Sequence, residues 1–147
     1  MDLEFADVAP GDARLERDVA PLIRALRPAL TAEDFSAFAA QAHAQGLVFT
    51  AAYDAAGRCR GVAAHRVLAT SRGRVLFVDD LVTAREHRSR GVGRLLMDEL
   101  AVRAARAGCA RIELDSGTAN HGAHRFYHAW RMSISALHFA REVPGAP

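Results

Sequence analysis

The chain has 147 residues, half of them hydrophobic and 24% charged, with a formal net charge of +2 and 19 basic residues, all arginine. That length suffices for one domain with its own core, and so small a charge argues for neither nucleic acid nor a membrane surface as partner. No stretch of ~18 apolar residues occurs, and Met1-Asp2-Leu3-Glu4 lacks the basic and apolar regions of a signal peptide. The expectation is a single cytoplasmic domain over residues 1–147, with Cys59 and Cys109 as isolated reduced thiols outside any metal-type spacing.

Leu3 to Val8 alternates as a short strand. Asp12 opens a helix that runs to about Arg27, where Pro28 stops it. Thr31 caps a second helix through Gln45, with Glu33 in its first turn and Gly46 at its end. Leu47 to Tyr53 and Arg60 to Ala69 read as strands joined through the Asp54-Ala55-Ala56-Gly57 turn. A second hairpin, through Ser71-Arg72-Gly73, leads to the strand Val75 to Thr83. The helix Gly91 to Ala107 follows, with Val92, Leu95, Leu96, Leu100 and Val102 as its apolar face and Gly108 as its C-cap. Arg111 to Asp115 is a strand, Asn120 to Trp130 a helix, and Ser133 to Glu142 a closing strand. The order β-α-α-β-β-β-α-β-α-β implies an α+β fold, with a mostly antiparallel central sheet flanked by helices.

The junction between the strand ending at Thr83 and the following helix carries the strongest functional signal. It reads Arg88-Ser89-Arg90-Gly91-Val92-Gly93-Arg94. Glycines in the first turn of a helix cost about 1 kcal/mol each relative to alanine, and this chain uses alanine freely elsewhere. An anion explains the choice: helix N-terminal N–H groups attract phosphate, glycine admits its oxygens, and arginine adds charge. A P-loop is excluded because no Gly-Lys-Ser/Thr follows. A dinucleotide-binding fingerprint would use Gly91, Gly93 and, about twenty residues on, Glu113. Leu96 stands where its third glycine belongs, and the loop from Ala84 to Arg90 exceeds its tight turn.

With its context of strand, basic loop and helix, the chain resembles the GNAT superfamily of N-acetyltransferases over nearly its whole length. The family signature Arg/Gln-x-x-Gly-x-Gly/Ala stands here as Arg88 to Gly93. A second element, Asn-x-x-Ala-x-x-x-Tyr, stands as Asn120, Ala123 and Tyr127. The family then continues Tyr-x-x-x-Gly-Phe, whereas this chain has Arg131 and Met132 at the last two places.

The resemblance implies acetyl transfer from acetyl-CoA to a primary amine acceptor by direct attack in a ternary complex. It places Leu81, Val82 and Thr83 against the pantetheine arm and Arg88, Ser89, Arg90, Gly91, Val92, Gly93 and Arg94 around the pyrophosphate. Asn120 would contact the pantetheine or phosphate region, and Tyr127 the thioester sulfur. A homodimer with the final strand as contributor also follows from the resemblance, and no metal does.

An alkyl amine with a pKa near 10 must lose a proton before it attacks. Asp79 is the first candidate for the base, because two-residue spacing puts it on the same strand face as Leu81; Asp80, on the opposite face, and Glu113 are reserves. A backbone N–H near Leu81 would serve the oxyanion. The Tyr127 phenol would protonate the departing thiolate; its alternative is a core aromatic beside Phe126 and Trp130. His121, His124 and His128 share one helix face without a fourth ligand nearby, which argues against zinc and favours His121 or His124 as a substrate contact or proton shuttle near the acceptor entrance. Two other readings stay open: an acyl-CoA-binding module of the same fold without catalysis, and a dinucleotide-binding domain.

Overall fold

The alternation of residues 3–8 becomes strand β1, Glu4–Val8, the first of five strands in a computed structural model that describes residues 1–147. The chain forms two compact units, Met1–Leu114 and Asp115–Pro147.

In the first unit, the helix expected from Asp12 begins as a π-helical turn, Leu15–Val19, and continues as α1, Ala20–Leu26. Asp12 caps its entry, its carboxylate accepting from the Arg14 backbone N–H at 2.9 Å. The exit follows from Pro28, which bars the helical conformation to the residue before it: Arg27 has φ −122° and ψ 78°. Helix α2, Ala32–Ala44, is capped by the Thr31 hydroxyl, which accepts from the Asp34 N–H at 3.1 Å.

Strands β2, Val48–Tyr53, β3, Cys59–Thr70, and β4, Gly73–Thr83, follow as two antiparallel hairpins. In the first turn the Asp54 carboxylate accepts from the N–H groups of Ala56 and Arg58. A 3-10 turn, Arg85–His87, precedes helix α3, Val92–Arg106. Strand β5, Arg111–Leu114, closes the sheet in the order β1-β2-β3-β4-β5, parallel to β4 and otherwise antiparallel throughout.

Register divides the sheet into two faces. Val62, Ala64 and Val82, paired with Ala51, Phe49 and each other, join Val19, Ile23 and Phe35 of the α1 and α2 layer in one buried core. Phe35, fully buried, meets the Phe49 ring at 5.9 Å; burying such a side chain stabilises by about 1.5–3 kcal/mol. Gly61 and Ala63 point to the other face, against which α3 packs Val92 and Leu96.

The second unit contains helix α4, His121–Ala129. The expected closing strand, residues 133–142, is not formed, which corrects the six-strand order to five. Alternation prepares a segment for a ladder, but the ladder needs a neighbouring backbone. Ile134, Leu137 and Phe139 stand largely exposed instead. Arg131, where the resembled pattern has glycine, adopts a left-handed φ of 64°.

Candidate active site

Strand β4 is the framework of the site. Its ladder to β5 covers only Val75–Val78, so beyond Val78 it is paired on one side, to β3. Alternate N–H and C=O groups from Asp80 to Thr83 therefore face away from β3 without a strand partner, the edge that an extended amide-bearing ligand needs. Leu81, Val82 and Thr83 lie on this free stretch.

The ladder to β5 ends beside an irregularity in the pairing with β3. Ala64 pairs with Asp80 but His65 pairs with Val78, so Asp79 is the additional residue of a β-bulge. A bulge interrupts the alternation of faces. The face assignment that put Asp79 with Leu81 is thereby corrected: both oxygens of Asp79 accept from Arg66, at 3.1 Å each, and Arg66 projects opposite to Ala63, the partner of Leu81. Asp80 pairs with Ala64, on the face covered by α1 and α2. Its carboxylate accepts from the Arg27 guanidinium at 2.8 Å, and burial pushes its pKa up against the opposing pull of Arg27. Glu113, the other reserve carboxylate, is held by Arg72 and Arg111.

Beyond β4 the backbone enters two left-handed positions, Ser89 at φ 63° and Gly91 at φ 86°. Gly91 is the N-cap of α3 and supplies no side chain to the first turn, whose N–H groups are left for another acceptor. Arg88, Arg90 and Arg94 are exposed around this point and make no ion pair, whereas Arg60, Arg66 and Arg103 are each held by carboxylates. The helix begins at Val92, so Gly91 is its cap and Gly93 lies in its first turn. An uncapped helix start with unpaired guanidinium groups around it has the donors and the charge that an anion would need.

Two residues with no role in the sequence reading support this loop. A Cβ on Gly61 would lie 2.9 Å from Val92 Cγ1 and 3.0 Å from the Val82 carbonyl, so its bare backbone lets α3 approach the sheet; a glycine inside a strand was the available signal. Arg60 is nearly buried and spans Asp54, at 2.6 Å, and Glu86 of the 3-10 turn, at 4.0 Å. No local pattern marks it.

In the second unit, the Asn120 Oδ1 caps α4, accepting from the Ala123 N–H at 3.2 Å. Tyr127 stacks edge-on to Phe126 with ring centroids 5.2 Å apart, its hydroxyl unbonded, and burial pushes its pKa up. The helix histidines are engaged locally: His121 and His124 meet edge to face, His124 Nε2 lies 2.8 Å from the Gly117 carbonyl, and His128 Nδ1 lies 3.2 Å from that of Met132.

Residues 15–130 match the model of the acetyltransferase (GNAT) family. An uncharacterized N-acetyltransferase of Bacillus subtilis (strain 168), YhdJ, is 30% identical over 126 residues, covering 84% of this chain and 80% of the relative. Among solved structures, the aminoglycoside N-acetyltransferase AAC(6')-Iy in complex with CoA superposes with a TM-score of 0.81 at 16% identity, over 96% of this chain and 95% of that one. A ribosomal-protein-alanine N-acetyltransferase from Brucella melitensis biovar Abortus 2308 gives 0.79 at 18%, over 97% and 99%. At these identities the structures share the fold. No helix of the chain is long and apolar enough to cross a membrane.

Proposed function

This chain belongs to the acetyltransferase (GNAT) family and is an N-acetyltransferase, and from that premise we propose that it moves the acetyl group of acetyl-CoA to a primary amine of a small molecule or peptide, by direct attack in a ternary complex. One observation carries the choice of donor: the free edge of β4 leads into the uncapped start of α3, ringed by Arg88, Arg90 and Arg94. Leu81, Val82 and Thr83 would hold the pantetheine amides through strand-like hydrogen bonds. Ser89, Gly91, Val92 and Gly93 would offer backbone to the pyrophosphate, with the three arginines as counter-charge. Asn120, its oxygen used in capping, keeps its amide N–H groups for the cofactor.

In the reaction the amine nitrogen bonds to the thioester carbonyl carbon, the tetrahedral intermediate collapses, and the carbon–sulfur bond breaks. A backbone N–H near Leu81 would stabilise the oxyanion. For the amine proton, Asp80 suits the base better than Asp79. The guanidinium of Arg66 occupies both oxygens of Asp79, while burial raises the proton affinity of Asp80. Tyr127 would return a proton to the thiolate of CoA. This reading treats residues 1–147 as one catalytic domain, since both family motifs contribute.

Acetyl-CoA should raise the melting temperature, as any ligand of the native state does, and an amine panel should release free CoA. Stabilisation without release for any amine would support an acyl-CoA-binding module instead, and stabilisation by NADH alone would overturn the assignment. For a protein partner we propose a second copy of the chain, supported by the exposed Ile134, Leu137, Phe139 and Val143. A monomer mass by light scattering at micromolar concentration would reject it.

A further inference from the structure

Near the bulge of β4, three carboxylates are matched by four guanidinium groups. Asp79 is held by Arg66, Asp80 by Arg27, and Glu113 by both Arg72 and Arg111. Glu113 pairs with Phe77 in register, and Phe77 with Arg66, so these groups share the sheet face that bears α1 and α2. A polycationic acceptor needs a surplus of carboxylate, and these pairs leave none.

The Arg27–Asp80 pair is asymmetric. The Asp80 side chain is 11% exposed and that of Arg27 is 61% exposed. Arg27 has a fixed backbone: its N–H donates to the Ile23 carbonyl at 2.9 Å and its own carbonyl accepts from the Leu30 N–H at 3.0 Å. The guanidinium is therefore an exposed cation on a fixed stem, bound to the one carboxylate suited to receive an ammonium. Only the Arg27 end of the pair faces solvent, so an ammonium that takes over the charge of Asp80 would leave the guanidinium room to swing aside. The displaced guanidinium then lies beside the acceptor, where another cation repels it and a carboxylate or phosphate forms a two-pronged, charge-assisted pair with it.

We propose that Arg27 selects the acceptor, a primary amine carrying its own carboxylate or phosphate, whose ammonium replaces Arg27 on Asp80 and whose anion Arg27 then binds. This rests on the acetyl-CoA-dependent reading above and narrows its acceptor.

The test uses the full chain, acetyl-CoA and matched amines, following free CoA: an amino acid against its amide, glucosamine 6-phosphate against glucosamine, and kanamycin and spermidine as polycations. The anion-bearing member of at least one pair should exceed its neutral match and both polycations by about ten-fold or more in kcat/KM, the scale of a hydrogen bond between charged groups. The two pairs distinguish carboxylate from phosphate. Arg27→Ala, shown folded by its melting curve, should lose that advantage mainly through KM. Arg27→Lys should recover part of it. A wild-type preference for polycations or neutral matches, or an anion preference that survives in Arg27→Ala, overturns the proposal while leaving acetyl transfer intact. Acetyl-CoA binding with no acetylation of any amine in the panel also overturns it, and failure of acetyl-CoA to bind defeats the underlying reading instead.

Discussion

Gly61 on β3 lies directly beneath Val92 in the first turn of α3, so close that a methyl group on its Cα would sit 2.9 Å from Val92 Cγ1, 3.0 Å from Leu96 Cδ1 and 3.0 Å from the Val82 carbonyl oxygen. Two of these contacts can yield by rotation; the carbonyl belongs to the strand. Gly61→Ala should therefore lift the start of α3 and destabilise the protein by about 1–3 kcal/mol, the usual range for overpacking. Acetyl-CoA affinity should fall as well, because the displaced turn is the one proposed to hold pyrophosphate. Urea unfolding and calorimetry read the two effects separately, and unchanged values in both would remove the packing argument.

Gly91 has φ 86° and nothing within 4 Å of a Cβ placed on it. Space is not its constraint; conformation and ligand approach are. Gly91→Val should lower acetyl-CoA affinity by at least about ten-fold and cost about 1–2 kcal/mol of stability from the left-handed backbone. Arg88→Ala, which removes one exposed charge, should cost less affinity. Titration calorimetry on folded variants decides, and an unchanged affinity in Gly91→Val beside a loss in Arg88→Ala would point to charge alone.

Tyr127→Phe keeps the ring against Phe126 and removes the phenolic proton. General acids contribute about 10²- to 10⁴-fold, so kcat should fall by at least the lower figure while acetyl-CoA binding stays. A kcat within a few-fold of wild type, with chemistry rate-limiting, would make Tyr127 a packing residue.

His65 is buried on β3 with Nε2 2.8 Å from the Thr50 hydroxyl, which donates its single proton to Asp7 at 2.9 Å. His65 is then the donor to Thr50 and neutral, and burial lowers its pKa to about 4 from an ordinary 6.5. Between those values the unfolded chain binds the proton that the folded one refuses. The contribution is full above pH 6.5 and is lost as pH falls toward 4, about 3 kcal/mol across the window. Asp80, raised by burial, works in the opposite sense at the acid end. Asp7 is pushed up by burial but held below its ordinary value by Arg103 and Thr50, so its loss comes at still lower pH. Urea unfolding from pH 7.5 to 4.5 should show this slope in the wild type and lose most of it in His65→Gln; an identical slope in both would assign it elsewhere.

Arg131 closes α4 with φ 64°, its N–H donating to the His128 carbonyl at 2.9 Å and the next N–H, of Met132, reaching Tyr127 at 2.9 Å. Glycine is the usual residue at such a left-handed cap. Arg131→Gly should stabilise by about 1 kcal/mol, the difference between an L-residue and glycine in that region. A lower unfolding midpoint would show that the arginine side chain compensates.

How much was legible before folding depended on whether the signal was local. Thr31 and Asp54 act through hydrogen bonds, and Pro28 and Gly91 through backbone conformation, within a few positions, so their caps, turns and stops could be read from spacing alone, as could the basic loop and the Asn120-to-Tyr127 spacing that carry the resemblance. The facing of Asp79 could not, because the bulge is a property of the β3–β4 register and appears only when Ala64 and His65 have chosen their partners. The pairing of Arg27 with Asp80, 53 residues apart, and the approach of Val92 to Gly61 likewise exist only once α1 and α3 lie on the sheet. Residues 133–142 carry the alternation of a strand without a ladder. Short-range pattern thus determined most of the elements and the basic, glycine-bearing loop, whereas tertiary packing decided which arginine holds each carboxylate and which backbone edge is open, since both depend on what another segment has already occupied.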